Sequence, residues 1–164
     1  MNRFRFEFMD KARTGDYLPR LFDILYNNMK SIVPGGHYDA EKATFLAEVG
    51  SALEKAPRKI ILMYAGDELA GYFQYYVNGG LFMVEEIQIV PEYQGTTLLY
   101  ALFRFLGKAL PEDVESIGAY VHKENLRSRR IIRKLGMVTE REEGDYCFCR
   151  GRFQSIGDKF CKKT

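Results

Sequence analysis

Only three cysteines and two histidines occur among the 164 residues, and neither set is arranged for metal. Cys147, Cys149 and Cys161 are odd in number, and none forms a zinc-type pair with His37 or His122. Cys147 and Cys149 lie two apart on a predicted strand, so they share a face but are poorly placed to bond each other. Reduced thiols and a cytoplasmic protein are expected, with no metal site. An excess of one charge is also missing, since 24 basic residues against 22 acidic ones leave a net charge of +2. That argues against overall electrostatic capture of nucleic acid and leaves only local patches open. No apolar run approaches the length of a membrane span. The stretch Asn2 to Phe8 alternates charge and ring where a secretory leader would carry an apolar block. No repeat and no linker interrupts the chain, so residues 1–164 are expected to form a single domain. The hydrophobic content of 46% is that of a folded globular protein.

Phe4, Phe6 and Phe8 alternate with Arg5 and Glu7, the period-two signature of a half-buried strand. Asp16 is placed to cap a helix carrying Leu18, Leu21, Phe22, Leu25, Tyr26 and Met29, with Pro19 tolerated in its first turn. Pro34-Gly35-Gly36 ends it. Asp39 is placed to cap a second helix that stops before Pro57. Ile60–Ala65, Leu69–Val77 and Leu81–Val90 are then separated by Gly66-Asp67 and Asn78-Gly79-Gly80, which predicts an antiparallel meander. Helix Gln94–Ala109, strand Ser116–Val121, helix Asn125–Leu135 and a hairpin over Val138 to Phe153 complete the expected order. The fold class is α+β, β-α-α-β-β-β-α-β-α-β-β, a mixed and mostly antiparallel sheet flanked by helices on both faces.

Ile87-Gln88-Ile89-Val90-Pro91-Glu92-Tyr93-Gln94-Gly95, followed by Thr96-Thr97-Leu98-Leu99, reads as a strand running through a tight polar turn into a helix. A helix begun in this way aims backbone N–H groups and the positive end of its dipole at the turn, which suits a pyrophosphate. The layout resembles the coenzyme A loop of the GNAT superfamily of N-acetyltransferases, and the order of elements resembles that family over nearly the whole chain. Gln94 and Gly95 fit the family's loop, whereas Thr97 and Leu99 stand where it carries small residues that let the backbone approach a diphosphate. Asn125-Leu126-Arg127-Ser128 through Lys134-Leu135-Gly136-Met137 resembles the family's second signature, although Asn125 is also a good helix N-cap and Gly136 a good C-terminal cap. At Ile132 many members carry a tyrosine that protonates the departing thiolate.

The resemblance implies acetyl-CoA as co-substrate and direct attack of a primary amine on its thioester. It also implies coenzyme contacts from Ile87, Ile89, Gln94, Gly95, Thr96, Thr97, Leu98, Leu99 and Asn125. Alternation places Glu86 and Gln88 on the face opposite Ile87 and Ile89. A carboxylate in a strand covered on both sides is costly unless it meets a cleft or a partner. Glu86 is therefore the first candidate for general base, acting through a water, and Glu85 the second; a salt-bridged strand residue is the alternative for either. Tyr120 and Tyr146 are candidates for the missing acid, and His122 shares a face with Tyr120. The acidic hairpin Glu140, Glu142, Glu143 and Asp145 and the basic helix Arg127, Arg129, Arg130, Arg133 and Lys134 read first as solvated faces. The acceptor, a small-molecule or peptide amine, is not readable. A terminal hairpin offers an edge for a homodimer, with no membrane partner expected. The rival reading is a catalytically degenerate acetyltransferase fold serving as an acyl-CoA-binding or interaction module.

Overall fold

The computed structural model describes residues 4–55, 57–95, 97–110 and 113–153. Seven strands form one sheet in the order β1-β2-β3-β4-β5-β7-β6. They are β1 (Phe4–Phe8), β2 (Lys59–Ala65), β3 (Glu68–Asn78), β4 (Leu81–Ile89), β5 (Ser116–His122), β6 (Val138–Glu143) and β7 (Tyr146–Arg152). Among the described residues four α-helices accompany them: α1 (Thr14–Met29), α2 (Tyr38–Lys55), α3 (Leu98–Ala109) and α4 (Leu126–Lys134). The element order is the one read from the sequence, and the class is α+β. Pairing is antiparallel for β1 with β2, β5 with β7 and β6 with β7, and parallel for β4 with β5. The chain divides into two compact units, Met1–Gln74 with Glu86–Thr96 and Tyr75–Glu85 with Thr97–Thr164.

In the first unit, Met9, Leu18, Leu21, Leu53, Ile60, Leu62, Leu69 and Tyr72 form a buried core, with Phe45, Leu46 and Val49 of α2 packed against it. Burying a side chain such as Leu21 contributes roughly 1.5–3 kcal/mol, so α1 and α2 are held by this stripe more than by helix propensity. Helix α1 begins at Thr14, two residues before the expected cap. Asp10 instead accepts from the Ala12 amide at 2.9 Å and opens a 3-10 turn that leads directly into α1. Asp16 consequently sits inside the first turn, where its charge complements the dipole, and it pairs with Arg13 at 3.1 Å. Likewise α2 starts at Tyr38, which places Asp39 within its first turn.

Gly71 of β3 marks a close approach of two strands in this unit. A β-carbon there would lie 2.2 Å from the Gln88 carbonyl oxygen and 3.0 Å from the Ile89 α-carbon. Only a residue without a side chain lets β4 run this near to β3. One residue on, the Val90 amide donates to the Ala70 carbonyl at 2.9 Å.

In the second unit, Leu98, Leu102, Phe103 and Leu106 form the buried stripe of α3. Parallel pairing of β4 with β5 runs from Leu81 opposite Ser116 to Val84 opposite Ala119. On its other edge β5 pairs with β7 along its whole length, as far as His122 opposite Tyr146. Cys147 and Cys149 are buried and free on β7; Cys161 lies outside the described residues. Helix α4 ends as its sequence predicts. Gly136 has φ of 81°, the Gly136 amide donates to Arg133 and the Met137 amide to Ile132, which satisfies the last carbonyls of the helix.

Candidate active site

Helix α3 begins at Leu98, four residues later than its sequence suggests. Pro91–Tyr93 form a 3-10 turn, and Gly95 has φ of 76°, which no helix accommodates. Gln94 thus belongs to the turn, and its side chain has a definite task there. Its Nε2 donates to the Ile89 carbonyl at 2.7 Å and to Asn28 Oδ1 at 3.3 Å, folding the turn back onto the end of β4. Gly95 is exposed, and a β-carbon there would meet nothing within 4 Å among the described residues. Its role is conformational. Thr96 lies outside the described residues.

The polar face of β4 in the same unit is built around Glu86. Glu86 and Ile87 are half-buried, while Gln88 and Ile89 are buried. Gln88 Nε2 donates to Glu86 Oε2 at 2.8 Å, as expected for residues two apart on one face. Asn28, in the last turn of α1, donates through Nδ2 to Gln88 Oε1 and to the Ile89 carbonyl, each at 3.0 Å. Tyr72 on β3 is fully buried, and among the described residues its hydroxyl has no hydrogen-bond partner. Burial, and after it the charge of Glu86, pushes the Tyr72 phenol well above its ordinary value. The sequence reading found the shared face of Glu86 and Gln88 but missed Asn28 and Tyr72. Asn28 lies 60 residues from Gln88, and nothing local signals that contact.

The remaining sequence candidates lie in the second unit. Thr97 is exposed and precedes α3 without a side-chain capping bond, and the first intrahelical bond runs from the Ala101 amide to the Thr97 carbonyl at 2.9 Å. Leu98 is fully buried. Leu99 is half-buried. Asn125 accepts from the Ser128 amide at 3.0 Å and caps α4. Its side-chain oxygen is spent on the helix. Glu85 is half-buried and Ile132 is buried.

Tyr120 is 43% exposed, and its hydroxyl accepts from Arg141 Nη2 at 2.6 Å. His122 stacks edge-on against Tyr146, and its Nδ1 accepts from the Glu124 amide at 3.2 Å. The acidic hairpin is largely neutralised by cations of its own unit. Glu142 pairs with Lys123 at 2.7 Å, and Glu140 lies 3.6 Å from Arg141 and 4.0 Å from Arg150. The Lys123 hydrogen bond, followed by its charge, holds the Glu142 carboxyl below its ordinary range. Among the described residues, no group of three or more His, Cys, Asp or Glu side chains is placed to hold a metal ion.

No protein-family model matches the sequence, and no curated protein sequence matches it. Many solved structures match its fold. A PaiA N-acetyltransferase from Thermoplasma acidophilum, solved with coenzyme A, superposes with a TM-score of 0.69 at 13% identity, over 91% of this chain and 98% of that one. A spermidine/spermine N-acetyltransferase from Vibrio cholerae gives 0.64 at 14% identity, over 97% and 99% of the two chains. A ribosomal-protein alanine acetyltransferase from Vibrio fischeri gives 0.61 at 13%, over 93% and 94%. The chain has the fold of the GNAT N-acetyltransferases.

Proposed function

We propose that residues 1–164 act as a single N-acetyltransferase-like domain that moves an acetyl group from acetyl-CoA to a primary amine. The turn carries this reading. Gln94 closes on the Ile89 carbonyl at 2.7 Å, and Gly95 takes a left-handed conformation in which a β-carbon would meet nothing within 4 Å among the described residues. A turn of this kind leaves backbone amides clear of side chains for a phosphate. The coenzyme A held by the Thermoplasma protein of the same fold supports it. Ile87, Ile89, Gln94 and Gly95 are the proposed coenzyme contacts in the first unit, with Thr96, Thr97, Leu98, Leu99 and Asn125 following from the family likeness. Asn125 is restricted to groups not used by the cap.

Chemically, the amine nitrogen attacks the thioester carbon, the C–S bond breaks, and one proton leaves the nitrogen. An amine with pKa ~10.4 is about one part in a few thousand neutral at pH 7, so a proton acceptor raises the rate. Glu86 is the proposed acceptor, through a water. The Gln88 donor at 2.8 Å supports that role by holding the carboxylate in a fixed orientation. Glu85 is the second choice. The departing thiolate has a pKa near ~8.5 and is tolerable near neutrality without an acid at Ile132. Tyr120 is the proposed donor where one is needed, with Arg141 fixing its hydroxyl. The cytoplasm is the proposed compartment, supported by the free Cys147 and Cys149.

A second reading, an acyl-CoA-binding module without turnover, draws on Ile132, which is buried and apolar. Calorimetric titration with acetyl-CoA, followed by thiol release with a panel of polyamines, amino acids and peptide amino termini, separates the two. Binding with turnover supports the enzyme, and binding without turnover supports the module. Absence of binding ends both.

A further inference from the structure

We infer that Asn28 is a positioning residue that ties the carboxylate of Glu86 to the turn at Gln94 through amides of fixed direction. This deepens the acetyltransferase reading and rests on that reading for its purpose, while its geometry stands apart. Every group involved belongs to the first unit.

Two acceptor-only groups close the chain of bonds, the ionised carboxylate of Glu86 at one end and the carbonyl of Ile89 at the other. Three amides lie between them. A carboxylate must be met by a donor, so Gln88 turns Nε2 toward Glu86 at 2.8 Å and leaves Oε1 as an acceptor. Asn28 must then offer Nδ2 to Gln88, and its second hydrogen on the same nitrogen goes to the Ile89 carbonyl, both at 3.0 Å. That leaves Asn28 Oδ1 as an acceptor, which Gln94 Nε2 fills at 3.3 Å while giving its other hydrogen to Ile89 at 2.7 Å. Reversing any one amide would set acceptor against acceptor or donor against donor. Polarity therefore passes from Glu86 to the turn without ambiguity.

Asn28 is the hub, with both amide hydrogens and the amide oxygen engaged. Through it α1 bonds to Gln88, to the Ile89 carbonyl and to Gln94. The carbonyl of Ile89 receives two donors and is held where the proposed coenzyme contacts begin. A general base and a coenzyme turn that share one hub keep a fixed spacing, which is what attack on a bound thioester requires.

Nitrogen–proton spectra of the ligand-free chain test the link directly. Glu86→Gln should move the Gln94 side-chain amide resonances in the otherwise native chain and leave them in place when Asn28→Ala is also present. Movement in both backgrounds, or in neither, would overturn the inference. Asn28→Asp keeps the shape and replaces the donors by acceptors; if Asn28→Ala does not fold, it should abolish the effect in the same way. In turnover, Asn28→Ala should raise KM for acetyl-CoA about tenfold, as expected for one to two lost hydrogen bonds, with KM for the amine unchanged. Equal change in both constants would count against positioning at the turn. A native chain that shows the Gln94 signature but binds no acetyl-CoA would support the amide link and overturn the acetyltransferase reading, so the two failures are distinguishable.

Discussion

Gly71→Ala is the substitution whose cost follows most directly from the geometry. The added methyl would stand 2.2 Å from the Gln88 oxygen, 2.9 Å from Met63 Cε and 3.0 Å from the Ile89 α-carbon. Met63 presents the end of a flexible side chain and can swing aside, but the other two atoms are backbone. Relief requires β3 and β4 to part by roughly 1 Å, since ordinary packed contacts lie near ~3.5 Å. The bond from the Val90 amide to the Ala70 carbonyl, now 2.9 Å, would stretch past hydrogen-bond range. Overpacking costs about 1–3 kcal/mol and one broken buried backbone bond about 1–3 kcal/mol, and the two overlap because one movement relieves and causes both. A total near ~3 kcal/mol lowers Tm by roughly 6–12 °C in a chain of this size. Gly50→Ala is the matched control. Its β-carbon would meet only Leu18 Cδ1, at 4.0 Å, inside α2, so the same change should stabilise by about 0.5–1 kcal/mol. Urea unfolding and thermal circular dichroism read both variants. Equal behaviour of the two, within about 0.5 kcal/mol, would refute the close approach of the strands.

Glu86→Gln should lower turnover by about 10²–10⁴ with little change in acetyl-CoA affinity, and full turnover across the pH range would remove Glu86 as the base. In the first unit, Asp23 is held below its ordinary value of 3.8, first by the hydrogen bond from Tyr38 and then by Lys42 at 3.2 Å. A depressed carboxyl binds fewer protons folded than unfolded, so its stabilisation is complete above about pH 4 and is lost as pH falls through the folded value. Tyr38→Phe should flatten that acid slope in unfolding measurements between pH 5 and pH 2, and an unchanged slope would contradict the assignment. Cys147 and Cys149, each about 5% exposed or less, should resist a thiol reagent in the native chain and react at once on unfolding. Rapid native labelling of either would show that β7 is open.

What the sequence disclosed and what it withheld divide along the range of the interactions. Local signals were faithful: alternating Phe4, Phe6 and Phe8 mark β1, Asn125 caps α4, and Gly136 ends it. Each depends on neighbours within a turn or a strand pair. Even locally, a competing turn displaced an edge. Pro91–Tyr93 and Gly95 delay α3 to Leu98, because a 3-10 turn and a left-handed glycine took residues that would otherwise have joined the helix. The insertion of β7 between β5 and β6 was not visible, since adjacency in a sheet is a tertiary outcome. Nor was the role of Gln94. Periodicity assigned it to a helix, and only the folded chain brings the α1 residue Asn28 against it. Glu86 could be singled out as a proposed base for a simple reason. A glutamate within an apolar strand advertises an unmet cost, whereas an asparagine at a helix end advertises nothing.

Strand β6, last in the sheet order and exposed throughout, carries Glu140, Arg141, Glu142 and Glu143 in succession. A neighbouring molecule that tried to extend the sheet there would have to strip water from these ions, which protects the margin against stacking into fibres. Dissolved salt thins that protection, because the reach of an exposed charge shrinks to about 10 Å at 0.1 M and about 3 Å at 1 M. Concentrated stocks of this molecule should therefore keep best in dilute buffer, and cloudiness that grows with added sodium chloride would trace to this border.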